Sequence, residues 1–365
     1  MAITMKKRNN PMKEKVVIGL SGGVDSSVAA ALLLEKGYEV IGVTMRLWDS
    51  EDQEGSCCSF SAADDAKIVA DKLGIEHIVM DFRKEFDDKV ISYFVDEYEK
   101  GRTPNPCIAC NKHLKFDHLL KEAKLLGADY IATGHYAKVD FNEKAKRYEL
   151  KMADNSAKDQ TYALYNLTQE QLSHILMPLG ELEDKAKTRE IAEKYGLVTA
   201  NKPDSQEICF IPDNDYAGFI KRRTKRDYPQ GKFVDTDGNV LGEHKGIIHY
   251  TVGQRKGLGA FGKPMFVLKI DSENGNIVLG EKGTEFSDSL LAERLNFISV
   301  EKAENNMKVF AKVRYSAKPA LAELFVIDED SVKVVFDTPQ RAITPGQAVV
   351  FYSEDNSVIG GGIIK

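Results

Sequence analysis

Three things are scarce in this sequence. There are five cysteines in 365 residues, too few for a disulfide scaffold in a chain this long, so the thiols are expected to stay reduced, as in the cytosol. Long apolar runs are missing as well. Val28–Leu34 is the longest wholly apolar stretch near the start, far short of the roughly 20 residues that a membrane-spanning helix needs. Met1 to Lys15 is basic and polar with no apolar centre, which excludes a secretory signal, and residues 1–14 read as a disordered leader. The expectation is a cytoplasmic protein with no membrane partner. A surplus of positive charge is also lacking. The formal net charge of −6 taken alone argues against a nucleic-acid partner, leaving room only for a local basic surface. What remains is an ordinary globular composition, 42% hydrophobic and 29% charged, without internal repeats and long enough for two or three domains.

The most informative stretch is Gly19-Leu20-Ser21-Gly22-Gly23-Val24-Asp25-Ser26-Ser27. Before it, Val16-Val17-Ile18 reads as a buried strand. After it, Val28 to Lys36 reads as a helix closed by Gly37. The glycines therefore fall in a strand-to-helix turn, where they let the backbone approach a ligand closely. The first-turn N–H groups and the helix dipole would then favour an anion. Asp25 would repel a bare phosphate, which points to a magnesium ion beside it. The kinase and GTPase loop is excluded because it ends in Gly-Lys-Ser/Thr. The bland alternative is a glycine turn that merely connects two elements.

Downstream, strands alternate with helices. Tyr38–Met45, Ile75–Met80 and Tyr130–Thr133 read as strands. Ala62–Leu73, Phe86–Lys100 and Phe116–Leu126 read as helices. This alternation predicts an α/β fold with a doubly wound parallel sheet, whose ligands bind at the carboxyl ends of strands. Met45 and the pair Gly134-His135 fall at such ends, although a structural histidine is the competing reading. Lys138–Met152 reads as a hairpin, followed by helices over Gln169–Ile175 and Asp184–Tyr195 and a loop over Asn201–Glu207. Short β runs with turn signals then take over, as at Asp237-Gly238, Asn274-Gly275 and Pro345-Gly346. The expected division is 15–210 for the sheet domain, 211–280 for a small central β module and 281–365 for a C-terminal β-barrel. Gly257-Leu258-Gly259-Ala260-Phe261-Gly262 has the spelling of a dinucleotide fingerprint, but it precedes a β run and reads as a loop.

Thr103-Pro104-Asn105-Pro106-Cys107-Ile108-Ala109-Cys110-Asn111 places two thiols at Cys-x-x-Cys spacing behind two stiffening prolines. Cys57 and Cys58 are adjacent and read as incidental. Cys209 stands alone, as a small buried residue often does. The basic run Lys221–Arg226 reads first as a solvated face and second as a phosphate-tracking patch.

The Ser-Gly-Gly-x-Asp-Ser spelling of residues 21–26 resembles the loop of ATP pyrophosphatases. Four further stretches follow it in order: the Thr-Pro-Asn-Pro segment, Ala132-Thr133-Gly134-His135-Tyr136, Lys158-Asp159-Gln160, and Asp204-Ser205-Gln206-Glu207-Ile208-Cys209-Phe210. With Tyr250–Gly257 and Val313-Arg314-Tyr315, the ordered set resembles the tRNA-specific 2-thiouridylases from about residue 15 to the C-terminus. The resemblance implies that Gly19–Ser26, Met45 and Gly134 hold ATP. It implies that Cys110 is catalytic and that Cys209 carries a persulfide. Asn105, Pro106 and Cys107 would meet the target base. Lys158, Asp159, Gln160, Arg314 and Tyr315 would contact tRNA, assisted by His135 and Gln347. A sulfur-donor protein is the further partner expected.

Many members of that family carry Asp where Cys107 stands. Cys107, Cys110 and Cys209 thus form a three-cysteine set of the kind other tRNA thiolases use for a 4Fe–4S cluster, with a four-ligand structural zinc as the bland competitor. The expected chemistry is adenylation of the uracil C2 oxygen, with AMP then displaced by persulfide or cluster-bound sulfide. Two competing readings are another adenylating synthetase of the same loop class, which leaves the cysteines unexplained, and a non-catalytic RNA-binding protein, which leaves the loop unexplained.

Overall fold

The computed structural model describes residues 13–48, 60–200, 202 and 208–365. Residues 1–12 of the leader, Cys57 and Cys58, and the Asn201–Glu207 loop apart from Lys202 lie outside the described residues.

The first part of the chain alternates as expected. Strand β1 (Lys15–Gly19), helix α1 (Val24–Glu35), β2 (Glu39–Arg46), α2 (Phe60–Leu73) and β3 (Glu76–Asp81) come first. A long helix α3 (83–99) follows, with a π-helical segment Asp87–Ile91 in its course. Helix α4 (106–125) runs from Pro106–Cys110 through a π segment, Asn111–His118, to Leu119–Leu125. Next come β4 (Tyr130–Ala132), the hairpin β5 (Ala137–Asn142) and β6 (Arg147–Met152), α5 (Gln169–Leu172), β7 (Ile175–Leu176), α6 (Lys185–Lys194) and α7 (Tyr216–Thr224). Five strands form one sheet in the order β3-β2-β1-β4-β7, and every pairing in it is parallel.

Alternation along β1 shows why the sheet is covered on both faces. Val16 and Ile18 pack with α1 residues such as Val28 and Leu33. Val17 points the other way, into a cluster with Phe86, Phe94, Leu114 and Phe116. Each such large apolar side chain contributes about 1.5–3 kcal/mol by leaving water. Chain order reverses between β1 and β4, which opens the crevice where doubly wound sheets bind ligands.

Three elements depart from expectation. Helix α1 begins at Val24, not Val28, so Asp25 to Ser27 form its first turn. Helix α4 begins at Pro106, ten positions before the expected start at Phe116. Asn105 caps it by accepting from Cys107 N and Ile108 N, and Pro106 fits the first helical position, where no N–H is needed. The prolines that read as a stiff approach are thus a helix start. The helix expected over Gln169–Ile175 stops at Leu172, and Ile175 instead pairs with Ile131 as an edge strand. Two residues are too few to show a strand periodicity.

The later chain is β, as expected. Strands β8 (Gly231–Val234), β9 (Val240–His244), β10 (Met265–Asp271) and β11 (Asn276–Glu281) make a sheet in the order β10-β11-β8-β9. The fingerprint-like glycines lie in turns before β10. Strands β12 (Phe286–Phe297), β13 (Met307–Lys312), β14 (Ala320–Asp328), β15 (Ser331–Arg341), β16 (Ala348–Tyr352) and β17 (Val358–Ile364) close into a barrel. Among the described residues, no helix is long and apolar enough to cross a membrane.

The basic run ends α7, where cations complement the helix dipole. Arg223 lies 2.5 Å from Asp87, and Arg226 lies 3.0 Å from Glu99. Its charge is thus partly matched by acids of α3, in line with the solvated-face reading.

The barrel and the sheet domain share a buried polar contact. The Tyr162 hydroxyl, fully buried, donates to the Ala348 carbonyl at 2.8 Å. Tyr162→Phe removes that donor without opening a cavity. It should cost about 1 kcal/mol, measured as a lowered melting midpoint, with no change if the contact adds nothing in solution.

Candidate functional site

The crevice at the carboxyl ends of β1 and β4 is a cavity of about 570 Å³. Its floor is the loop between β1 and α1. Residue Gly23 caps α1 and supplies no side-chain acceptor. The first-turn N–H groups are therefore not taken by a capping side chain, which suits an anion. Ser26 Oγ accepts from Ser21 N at 3.2 Å and donates to Gly23 O at 3.2 Å, holding the loop closed on itself.

Two glycines are required by their surroundings. Gly22 has φ of +67°, and a Cβ there would lie 2.4 Å from the Ala62 carbonyl of α2. At Gly134 a Cβ would lie 2.6 Å from Ser26 N, so the turn after β4 presses directly on the first turn of α1. Lys202 reinforces the outer side, with Nζ 3.1 Å from the Gly22 carbonyl and a second contact to Asp65.

Asp25 is held by two residues that the sequence did not single out for a role. Tyr136 donates its hydroxyl to Asp25 Oδ1 at 2.7 Å, and Lys185 Nζ stands 2.6 Å from the same oxygen. Thr188 orients the Tyr136 hydroxyl at 2.9 Å. The acid at the loop is thus already partnered by a cation, which reduces its repulsion toward phosphate. Asp25 is the carboxylate at this loop that would hold a magnesium ion.

The thiols face this loop across the cavity. Cys107, Cys110 and Cys209 all line it; Cys107 is exposed, Cys110 buried and Cys209 half-buried. Among the described residues, no three Cys, His, Asp or Glu side chains are grouped so that they could hold a metal ion. The three thiols nevertheless share one cavity. Lys115, in the π segment of α4, also lines the cavity. Sequence reading missed it because its place on the helix of Cys110 depends on where that helix starts.

The structure sorts the expected site residues into two groups. Gly19, Leu20, Ser21, Gly23, Val24, Asp25, Ser26, Met45, Pro106, Gly134, His135, Lys158, Gln160 and Tyr315 line the cavity along with the thiols. The others are engaged inside the fold. Asn105 caps α4. Asp159 is buried, accepts from Ala153 N and Thr161 Oγ1, and has its pKa raised, first by burial. Arg314 donates to the Arg341 and Ala342 carbonyls. Gln347 donates to the Thr103 carbonyl at 2.8 Å. Gln160 does both, because its Oε1 accepts from Tyr136 N at 2.9 Å and its own N–H donates to Tyr136 O at 3.0 Å.

His135 Nδ1 stands 2.8 Å from Thr133 Oγ1. Burial, and then the nearby Lys115 charge, push its pKa well below the ordinary 6.5. The ring is therefore neutral across the physiological range and serves as a hydrogen-bonding group. Because the folded pKa is depressed, this contribution to stability is complete above the unfolded pKa of about 6.5 and is lost as pH falls below it. His135→Gln should flatten the acid side of the stability–pH curve between about pH 6.5 and 5. An NMR titration of the wild-type ring with a midpoint near 6.5 would contradict the assignment.

Comparison with known proteins agrees with the geometry. Residues 14–213 match the profile described as tRNA methyl transferase HUP domain. Residues 217–281 match its PRC-barrel domain, and 287–364 the aminomethyltransferase beta-barrel domain. The chain is 58% identical over 359 residues to the tRNA-specific 2-thiouridylase of Acetivibrio thermocellus, covering 97% of this chain and 99% of that one. It is 57% identical over 358 residues to that of Clostridioides difficile, with 97% and 99% covered. With well over half of its residues shared from end to end, the chain belongs to the tRNA-specific 2-thiouridylase family.

Proposed function

We propose that this protein replaces the C2 oxygen of the wobble uridine of tRNA with sulfur, using ATP. One observation carries the reading: a helix start with no capping side chain and two thiols, Cys110 and Cys209, line the same cavity. The profile description speaks of methyl transfer, but thiols facing a phosphate loop suit sulfur transfer with an activated oxygen as leaving group.

The uracil C2 carbonyl is a poor electrophile and its oxygen a poor leaving group. That oxygen attacks the α-phosphate of ATP, forming a C–O–P linkage and expelling pyrophosphate. The N–H groups of α1 stabilise the departing charge, and Asp25 would hold a magnesium ion that, when bound, would neutralise charge on the leaving pyrophosphate. The terminal sulfur of a Cys209 persulfide then attacks C2, and AMP leaves with the original oxygen. The Cys110 thiolate attacks the Cys209 sulfur, releasing 2-thiouridine and leaving a Cys110–Cys209 disulfide. An external thiol reductant restores the pair, and a sulfur-donor protein reloads Cys209. Lys158 and Tyr315 stand at the cavity wall where the base, unstacked from its loop, would enter. A cytosolic location accords with reduced thiols and this substrate.

Cys110→Ser and Cys209→Ser should each keep tRNA-dependent pyrophosphate release and lose 2-thiouridine, read by nucleoside mass analysis. Thiolation surviving in Cys209→Ser would overturn the persulfide route, as would a strict requirement for about four irons per chain, the content of a 4Fe–4S cluster.

Asp25→Asn keeps the side-chain shape and removes its charge. Pyrophosphate release should fall about a hundredfold or more, the scale of losing a preorganised electrostatic group, while the melting midpoint barely moves. Release at the ordinary rate would remove Asp25 from the phosphate site.

A further inference from the structure

The segment that leads into α4 is fastened to the barrel. Thr103 N donates to the Pro345 carbonyl at 2.8 Å, and Thr103 O accepts from Gln347 Nε2 at 2.8 Å. Both backbone groups of Thr103 are thus bonded to one barrel loop. Gly346, between the two partners, has φ of +90°, and a Cβ there would lie 2.9 Å from Thr103 N. Arg102 adds a second fastening. It donates to the Ile364 carbonyl at 3.1 Å, lies 2.9 Å from the buried Glu97 carboxylate and 3.6 Å from Glu293. Two residues beyond Thr103, Asn105 caps α4, whose first turns carry Cys107 and Cys110.

We propose that Gln347 is a positioning residue. Through Thr103 it fixes the start of α4, and the barrel thereby sets where the Cys110 sulfur stands in the cavity. Its amide works inside the protein, and the tRNA contact implied by family resemblance is not its main task. The proposal rests on the sulfur-transfer reading of Cys110. It asks more of the barrel than tRNA binding, since the placement of a nucleophile by even about 1 Å can change a rate a hundredfold.

Two variants of the full chain test it. Gln347→Met keeps the length of the side chain and removes the donor. Gly346→Ala adds a methyl against Thr103 and removes no group that could bind RNA. For each, three quantities are measured: the iodoacetamide alkylation rate of Cys110 without tRNA, read on its peptide by mass; the tRNA dissociation constant; and kcat and KM for 2-thiolation. In both variants Cys110 alkylation should change about threefold or more, as local opening at the helix start is altered. The kcat should fall on the order of ten- to a hundredfold, with tRNA affinity within about twofold. If Gly346→Ala fails to fold, Gln347→Met decides alone. Weakened tRNA binding with unchanged kcat and alkylation would make Gln347 a direct RNA contact and overturn the proposal, and so would no change in any quantity. If the wild type made no 2-thiouridine, the sulfur-transfer reading would fail, while the alkylation arm would still report whether the barrel positions Cys110.

Discussion

The contact between Gly134 and the Asp25–Ser26 backbone is the constraint on which the site depends. It exists because β1 and β4 are neighbours in a parallel sheet, so the turns at their carboxyl ends must share space. With no side chain between them, the segment after β4 is placed against the phosphate loop. His135 then faces the cavity and the Tyr136 hydroxyl reaches Asp25. Gln160 grips Tyr136 through two hydrogen bonds and so brings Lys158 to the same wall. One close approach of backbones thus orders residues spread over more than a hundred positions of sequence.

The barrel acts on this arrangement from the other side. Tyr162 and Thr161 are bonded to Ala348 and Tyr352 of β16. Lys312 of β13 lies between the rings of Tyr162 and Tyr315, 5.7 and 5.4 Å from their centroids. Burial depresses the Lys312 pKa, and the Asp159 charge opposes that shift. The polar residues at the junction therefore satisfy one another, which is what a buried polar network must do to avoid a large desolvation cost.

Much of this could be read from local sequence. The phosphate loop, the parallel sheet and the closing barrel announce themselves through glycine spacing and through the alternation of apolar runs, signals that need only a few neighbouring residues. The start of α4 was misread because Pro-Asn-Pro serves equally as a stiff loop or as a cap followed by a first-turn proline. Strand β7 was missed because two residues carry no period. Lys185 was invisible because its partner Asp25 lies 160 positions away and nothing local distinguishes it from other helix lysines. Asn105 and Gln347 could be named from the family resemblance, but what their side chains bond to depends on the assembled fold.

The bond from Arg102 to Ile364 spans 262 positions and ends in β17, the strand that closes the barrel. Proteins are made from the N-terminus, and domains fold in that order as they emerge. The sheet and its phosphate loop can therefore form early, while the segment before α4 waits for the final strand of the barrel. A product truncated before β17 would keep the loop and lose the bond that ties the segment before α4 to the barrel.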